Sequence, residues 1–339
     1  MLIGIHYMRG LAALMVVMFH AISFMAAYNN YSSPFAHHIL ATGVDIFFVI
    51  SGFLMVKTTE QYKQSRLGWK AFLYKRVVRI APLYWILTIA LAVALFYQPS
   101  LSEKSFSFEF LINSLLFLPT QLPSGGVQST MIAVGWTLVY EMFFYVAFAI
   151  FTAINYRKGI IALFVVFGLL ALAHNKFDNY YLSLYSNPII VEFCFGMLIA
   201  KLATPSSQRA IILMGFGFLA LTIGAYLDGQ DLDARYLSVG VGAAMLVYGA
   251  SGLKTNRTLA IPKLLGDSSY ATYLTHMYVI KVGSKFLPPS FASCLILVAI
   301  SCVVGHMVYL LIESPIQKAM STFSRNAFSR TAPRSDPSA

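Results

Sequence analysis

The chain has 339 residues, 58% hydrophobic and 11% charged, with a mean hydropathy of +0.71. A soluble domain carries about 25% charged residues, so a water-soluble globule is excluded, and the long unbroken apolar runs exclude an outer-membrane barrel, whose strands alternate in short segments. The net charge of +11 does not point to nucleic acid, because Lys and Arg flank the apolar runs, so composition predicts an all-α polytopic membrane protein.

In chain order, ten spans are predicted, over about 9–28, 39–57, 80–97, 134–154, 159–174, 187–203, 210–227, 236–253, 267–286 and 291–312. The first run lacks an A-x-A-like cleavage site, so no removable signal peptide is read. It begins at Arg9 and carries His20. Eleven positions at 100° each bring these two side chains within about 20° of one face, roughly 16 Å apart along the axis. If Arg9 lies at a membrane surface, His20 lies near the midplane of a ~30 Å core.

Between spans three and four, residues 108–118 are too short to cross and predict an interfacial or re-entrant helix. The stretch 119–134 holds Pro123, Gly125 and Gly126 and reads as an external loop or lid. Residues 1–316 then form one transmembrane domain, and the Ser/Arg/Pro-rich stretch 317–339 a disordered cytoplasmic tail. Placing the N-terminus in the cytoplasm puts 19 of the 24 Lys and Arg residues on that side, so both termini are expected inside. Cys194, Cys294 and Cys302 lie in apolar segments without CxxC spacing, and predict neither disulfide nor zinc.

An ionisable side chain inside a span is a candidate functional residue. His20 is the first. Asp45, in Gly43-Val-Asp-Ile-Phe-Phe-Val-Ile-Ser-Gly52, and Glu141, in Gly135-Trp-Thr-Leu-Val-Tyr-Glu141, enter from the external side to a similar depth. A buried carboxylate costs several kcal/mol unless paired. Asp45 is therefore read as a partner of His20 or of an arginine, and a carboxylate on one imidazole nitrogen would also orient the other for catalysis. Trp136 fits an interfacial belt. Glu192, after Asn187-Pro188, fits helix packing or acceptor binding. His276 fits a core histidine or a part in the site, His306 fits packing, and His37 and His38 form a loop pair. No HExxH or HxxxH spacing is present, so no metal is expected. Arg76 and Arg79 share one helical face, which suits ordinary topology charge or a phosphate clamp.

These motifs in order, namely Arg9-x10-His20, Gly43-Val-Asp-Ile-Phe-Phe-Val-Ile-Ser-Gly52, Arg76-Val-Val-Arg79-Ile-x-Pro82, Trp136-Thr-Leu-x-Tyr-Glu141, Tyr270-x-x-Tyr-Leu-x-His276 and Glu313-x-Pro315, resemble acyltransferase family 3. The compact form is similar to its ExoZ-type exopolysaccharide acetyltransferases. The resemblance covers nearly the whole chain. It implies a multi-pass protein of the bacterial inner membrane that moves an acyl group, commonly acetyl, from acyl-CoA to a hydroxyl of an exopolysaccharide, O-antigen or related glycan. Acyl-CoA is then a co-substrate, with no bound cofactor. His20 is expected as general base in direct transfer or as an acyl relay, with Asp45 or Glu141 orienting it, and Arg9, Arg76 and Arg79 as donor-binding residues. Trp136, Glu192 and His276 remain acceptor or structural candidates. Buried His and carboxylate side chains also suit a proton-coupled exporter or flippase, although no internal repeat supports one.

The expected orientation can be tested with single cysteines in a cysteine-free background. In intact cells, a membrane-impermeant maleimide should label Asp178→Cys, and should label Lys158→Cys only after lysis. The reverse pattern would invert the topology.

Overall fold

A computed structural model describes residues 2–29, 38–60, 68–99, 106–121, 127–128, 130–228, 235–254 and 258–329. Helices α1 (Ile3–Asn29), α2 (His38–Ala41), α3 (Gly43–Thr59), α4 (Gly68–Tyr97) and α5 (Phe108–Leu115) lead to a two-residue antiparallel ladder, β1 (Thr120–Gln121) against β2 (Val127–Gln128). Then follow α6 (Trp136–Ile154), α7 (Tyr156–Leu172), α8 (Tyr180–Tyr185), α9 (Val191–Ile199), α10 (Ser207–Asp228), α11 (Arg235–Ser238) and α12 (Gly240–Ser251). The chain ends with α13 (Ala260–Asp267), α14 (Ser269–Gly283), α15 (Phe291–Val308), a π turn at Tyr309–Glu313 and α16 (Ser314–Ser329). Helices dominate because a chain in lipid must satisfy its backbone polar groups internally.

Each of the ten predicted spans falls on helix, but seven helical segments among the described residues are long and apolar enough to cross a membrane. These are Ile3–Ala27, His38–Thr59, Gly68–Tyr97, Ala133–Ile154, Tyr180–Ile199, Ser207–Leu227 and Phe291–Ser321. The other three fall short for separate reasons. Helix α7 has 17 residues. The eighth predicted span is broken at Val239 into α11 and α12. Helix α14 has 15 residues and buries Ser269, Thr272, Thr275 and His276, so its polar side chains face its neighbours.

The predicted interfacial segment is α5, an eight-residue helix whose first turn is capped by Ser107, which accepts from Phe110 N at 3.0 Å. Its last turn is tied to α4 by Tyr84 Oη donating to Ser114 O (3.0 Å) and Trp85 Nε1 donating to Leu115 O (2.7 Å). Phe108, Ile112 and Leu116 are left exposed on one face. The expected loop at 119–134 is partly ordered as the β1–β2 ladder and a 3-10 turn at Ala133–Gly135. Pro123, Gly125 and Gly126 lie outside the described residues.

The tail also departs from expectation. Residues 317–329 continue as α16 and are not an unstructured extension. Apolar residues at 316, 320, 323 and 327 recur at helical spacing, which a reading of composition alone overlooks. Residues 330–339 lie outside the described residues.

The core is organised by the contact of α3 with α9. A Cβ on Gly52 would stand 2.0 Å from Phe193 O, and one on Gly196 would stand 2.1 Å from Val49 O. The two backbones therefore touch, as small residues permit in membrane bundles. Above the contact, the Phe193 ring stacks on Phe144 (centroids 4.4 Å) and lies 4.7 Å from Phe48. This locks α3, α6 and α9 together and sets the face that α3 turns to the site. Gly196→Val or Gly52→Val should cost at least about 1–3 kcal/mol through overpacking, measured as thermal stability in detergent. A variant as stable as the parent would mean that α9 can move away freely.

Candidate active site

Five helices enclose a cleft that, with its mouth, holds about 710 Å³ of empty space. Helix α1 contributes Arg9. Helix α3 contributes Val44, Phe47, Phe48 and Ser51, one helical stripe at positions i, i+3, i+4 and i+7. Helix α4 contributes Arg76, Arg79 and Ile80, helix α6 Thr137, Leu138, Glu141 and Tyr145, and helix α14 Ser269, Tyr270 and Tyr273. The walls are apolar and tyrosine-rich, and the charge gathers at one end.

The three arginines differ in how they are held. Arg76 is buried, donates from Nη2 to Thr58 Oγ1 at 2.7 Å, and lies over the rings of Phe72 (5.7 Å) and Tyr145 (5.9 Å). Arg9 and Arg79 have neither an ion pair nor a side-chain hydrogen bond among the described residues. Their fields overlap, and Glu141 and Glu313 are the carboxylates closest in effect to Arg9. Two guanidiniums without direct counter-ions in a largely apolar cleft make a site for an anion, and a phosphate or carboxylate suits the guanidinium fork.

Glu141 belongs to this charged end. Its Oε1 accepts from Ser51 Oγ at 2.7 Å and from Tyr145 Oη, one turn along the same helix. The expectation that Glu141 or Asp45 orients His20 is not met by the geometry, because neither carboxylate hydrogen-bonds to His20 among the described residues. Asp45 is fully buried, but it sits about 110° round α3 from the stripe that lines the cleft.

His20 is partnered differently. Its Nδ1 stands 2.9 Å from Val16 O and 3.4 Å from Nε2 of His276, with ring centroids 5.1 Å apart. His276 is fully buried, and its Nδ1 stands 3.3 Å from Thr272 O. The Tyr273 ring lies 5.9 Å from His276 and forms part of the cleft wall. Its hydroxyl donates to Val134 O (3.0 Å) and meets Thr137 Oγ1 (2.8 Å). The histidine pair thus stands behind one tyrosine at the end of the cleft away from the arginines. Arg9 lines the cleft, whereas His20 lies outside its lining and meets His276 of α14.

The remaining candidates lie elsewhere. Glu192 is fully buried between α9 and α12, where a Cβ on Gly240 would meet its Cγ at 3.2 Å. Trp136 packs edge-on against Phe48 and Tyr140. His306 stacks on Tyr309, His38 is exposed, and His37 lies outside the described residues. No group of three His, Cys, Asp or Glu side chains among the described residues could hold a metal.

Several site residues had no role assigned from the sequence. Ser51 and Tyr145 sit at i+7 from Val44 and i+4 from Glu141, so helical spacing could have found them. Tyr270, which donates to Ile80 O at 2.7 Å, and Tyr273 were visible only as parts of a motif. Glu313 is buried in the π turn, accepts from Gln317 at 2.9 Å, and acts electrostatically on Arg9. A π turn inserts one extra residue and often marks a functional site, and no sequence spacing announces it.

The acyltransferase-domain model of acyltransferase family 3 matches residues 2–310. The chain is 34% identical to the exopolysaccharide production protein ExoZ of Rhizobium meliloti (strain 1021), a match covering 74% of this chain and 80% of that one. It is 23% identical to the acyltransferase MdmB of Streptomyces mycarofaciens, covering 84% and 83%. No solved structure matches it. With the family model spanning almost the whole helical bundle and its cleft, the chain belongs to acyltransferase family 3 and is a multi-pass membrane acyltransferase.

Proposed function

We propose that the protein transfers an acyl group, acetyl in the first instance, from acyl-CoA to a hydroxyl of an exopolysaccharide, O-antigen or related glycan at the bacterial inner membrane. The observation that carries this reading is the cleft itself, in which Arg9 and Arg79 stand without direct counter-ions, with the His20–His276 pair behind the Tyr273 wall. The arginine end binds the phosphates of the donor, and Arg76 is held ready beside them by Thr58 and two aromatic rings. The excess of Lys and Arg on one side of the bundle supports a cytoplasmic position for that end. The roughly 16 Å rise between Arg9 and His20 suits a thin extended thioester arm. The name of the Rhizobium relative supports an exopolysaccharide acceptor.

In this mechanism His20 is the general base. It takes the proton of the sugar hydroxyl while the oxygen attacks the thioester carbonyl. The oxyanion forms near Thr137, whose hydroxyl can turn to it from Val134 O, while the Tyr273 O–H stays on that carbonyl. The C–S bond then breaks, and the thiolate leaves with the proton returned from His20.

The test is reconstitution of the purified protein with labelled acetyl-CoA and a lipid-linked or polymeric glycan. His20→Ala should abolish transfer. Arg79→Ala should raise the KM for acyl-CoA about tenfold or more, the loss expected for one charged hydrogen bond of about 1.5–3 kcal/mol. Full activity in His20→Ala would remove that residue from the chemistry. Glycan crossing the bilayer without consumption of acyl-CoA would make the protein an exporter.

A further inference from the structure

The base has a second histidine behind it. We propose that His276 is the positioning residue of the transfer reaction, holding His20 with its proton on Nδ1 and its lone pair on Nε2. The proposal rests on the reading of His20 as the base.

Two backbone carbonyls assign the ring protons. A carbonyl oxygen only accepts, so a ring nitrogen facing it must carry hydrogen. Val16 O faces Nδ1 of His20 at 2.9 Å, and Thr272 O faces Nδ1 of His276 at 3.3 Å. Both rings are therefore Nδ1–H when neutral, and Nε2 of His276 is a bare acceptor. It stands 3.4 Å from Nδ1 of His20, a length that fits the weaker arm of a hydrogen shared between two acceptors. Each carbonyl lies four residues back in the same helix as its histidine, so each ring is pinned to its own backbone, and the contact between them joins α1 to α14.

The arrangement has a chemical consequence. Among the described residues no carboxylate hydrogen-bonds to either ring. The orienting group is a neutral imidazole, itself fixed by a carbonyl and fully buried. When Nε2 of His20 takes the hydroxyl proton, the Nδ1–H of the resulting imidazolium becomes a stronger donor, and Nε2 of His276 is there to receive it. The sugar O–H bond breaks, a C–O bond forms, the C–S bond breaks, and the thiolate recovers the proton from Nε2 of His20. His276 gains and loses no proton in the sum.

Two measurements test this. The first needs no activity: the 15N spectrum of protein labelled at its seven histidines, with His20 identified by comparison with His20→Gln. A protonated Nδ1 and a bare Nε2 on His20 are expected, with the same tautomer but a weaker Nδ1–H hydrogen bond, read as an upfield Nδ1 proton shift, in His276→Phe, where Val16 O alone accepts. Protonation of His20 on Nε2 in the parent would overturn the proposal, even if acyl transfer is confirmed. The second is steady-state kinetics. His276→Phe, which keeps bulk but removes the acceptor, should lower kcat about tenfold or more with the KM for acyl-CoA within about twofold. His276→Gln, whose Oε1 can stand where Nε2 stood, should recover kcat to within about threefold. Parental kcat in the phenylalanine variant, or equal loss in both, would overturn it. If the parent transfers no acyl group at all, the proposed function fails, and the spectrum still decides the tautomer. If the phenylalanine variant does not fold, the parental spectrum and the glutamine variant decide.

Discussion

Three guanidiniums share one cleft inside a bundle built of apolar helices, and the site is arranged around keeping them there. A lone charge moved into low dielectric costs far more than any single contact returns. The bundle answers in three ways. Thr58 and two aromatic faces hold Arg76. Glu141 is fixed near the group by Ser51 and Tyr145, so its carboxylate cannot swing away. Glu313 is brought in from the last helix by a π turn. Arg9 and Arg79 are still left short of direct partners, and that shortfall is the space in which an anionic ligand is worth most.

The opposite end of the cleft shows the complementary economy. The His20–His276 contact involves no formal charge while both rings are neutral, so it can be buried without a counter-ion. Tyr273 stands between the two regions, with its ring near His276 and its hydroxyl fixed to Val134 and Thr137. Charge is thus gathered at the arginine end of the cleft, and the histidine pair carries none while its rings are neutral.

Much of this was legible in the amino-acid sequence, and the limits are physical. The helical period placed Arg9 and His20 on one face, and each apolar run announced a helix. Span length was misjudged where polarity served a purpose: α14 has too few apolar residues to cross unaided because its Tyr, Thr and His side chains face the site and its neighbours. The pairing of His20 was misjudged because a carboxylate is the commoner partner for an imidazole, and Asp45 and Glu141 lay at similar depth. Depth says nothing about azimuth, and Asp45 points round the helix away from the cleft. The π turn that delivers Glu313 lies beyond any periodic reading, since it breaks the period it would be read from.

The separation of the paired histidines also bears on how the protein is made. His20 is in the first helix and His276 is 256 residues later, so His20 exists for most of synthesis without the ring it contacts. Helix α14 is too polar to rest alone in lipid, so it packs against α1, already in the bilayer, and against α15, which follows it in the chain. The histidine end of the cleft is therefore closed among the last steps of assembly. A partly synthesised or truncated chain that stops short of α14 keeps its arginines but lacks His276 and one wall of the cleft.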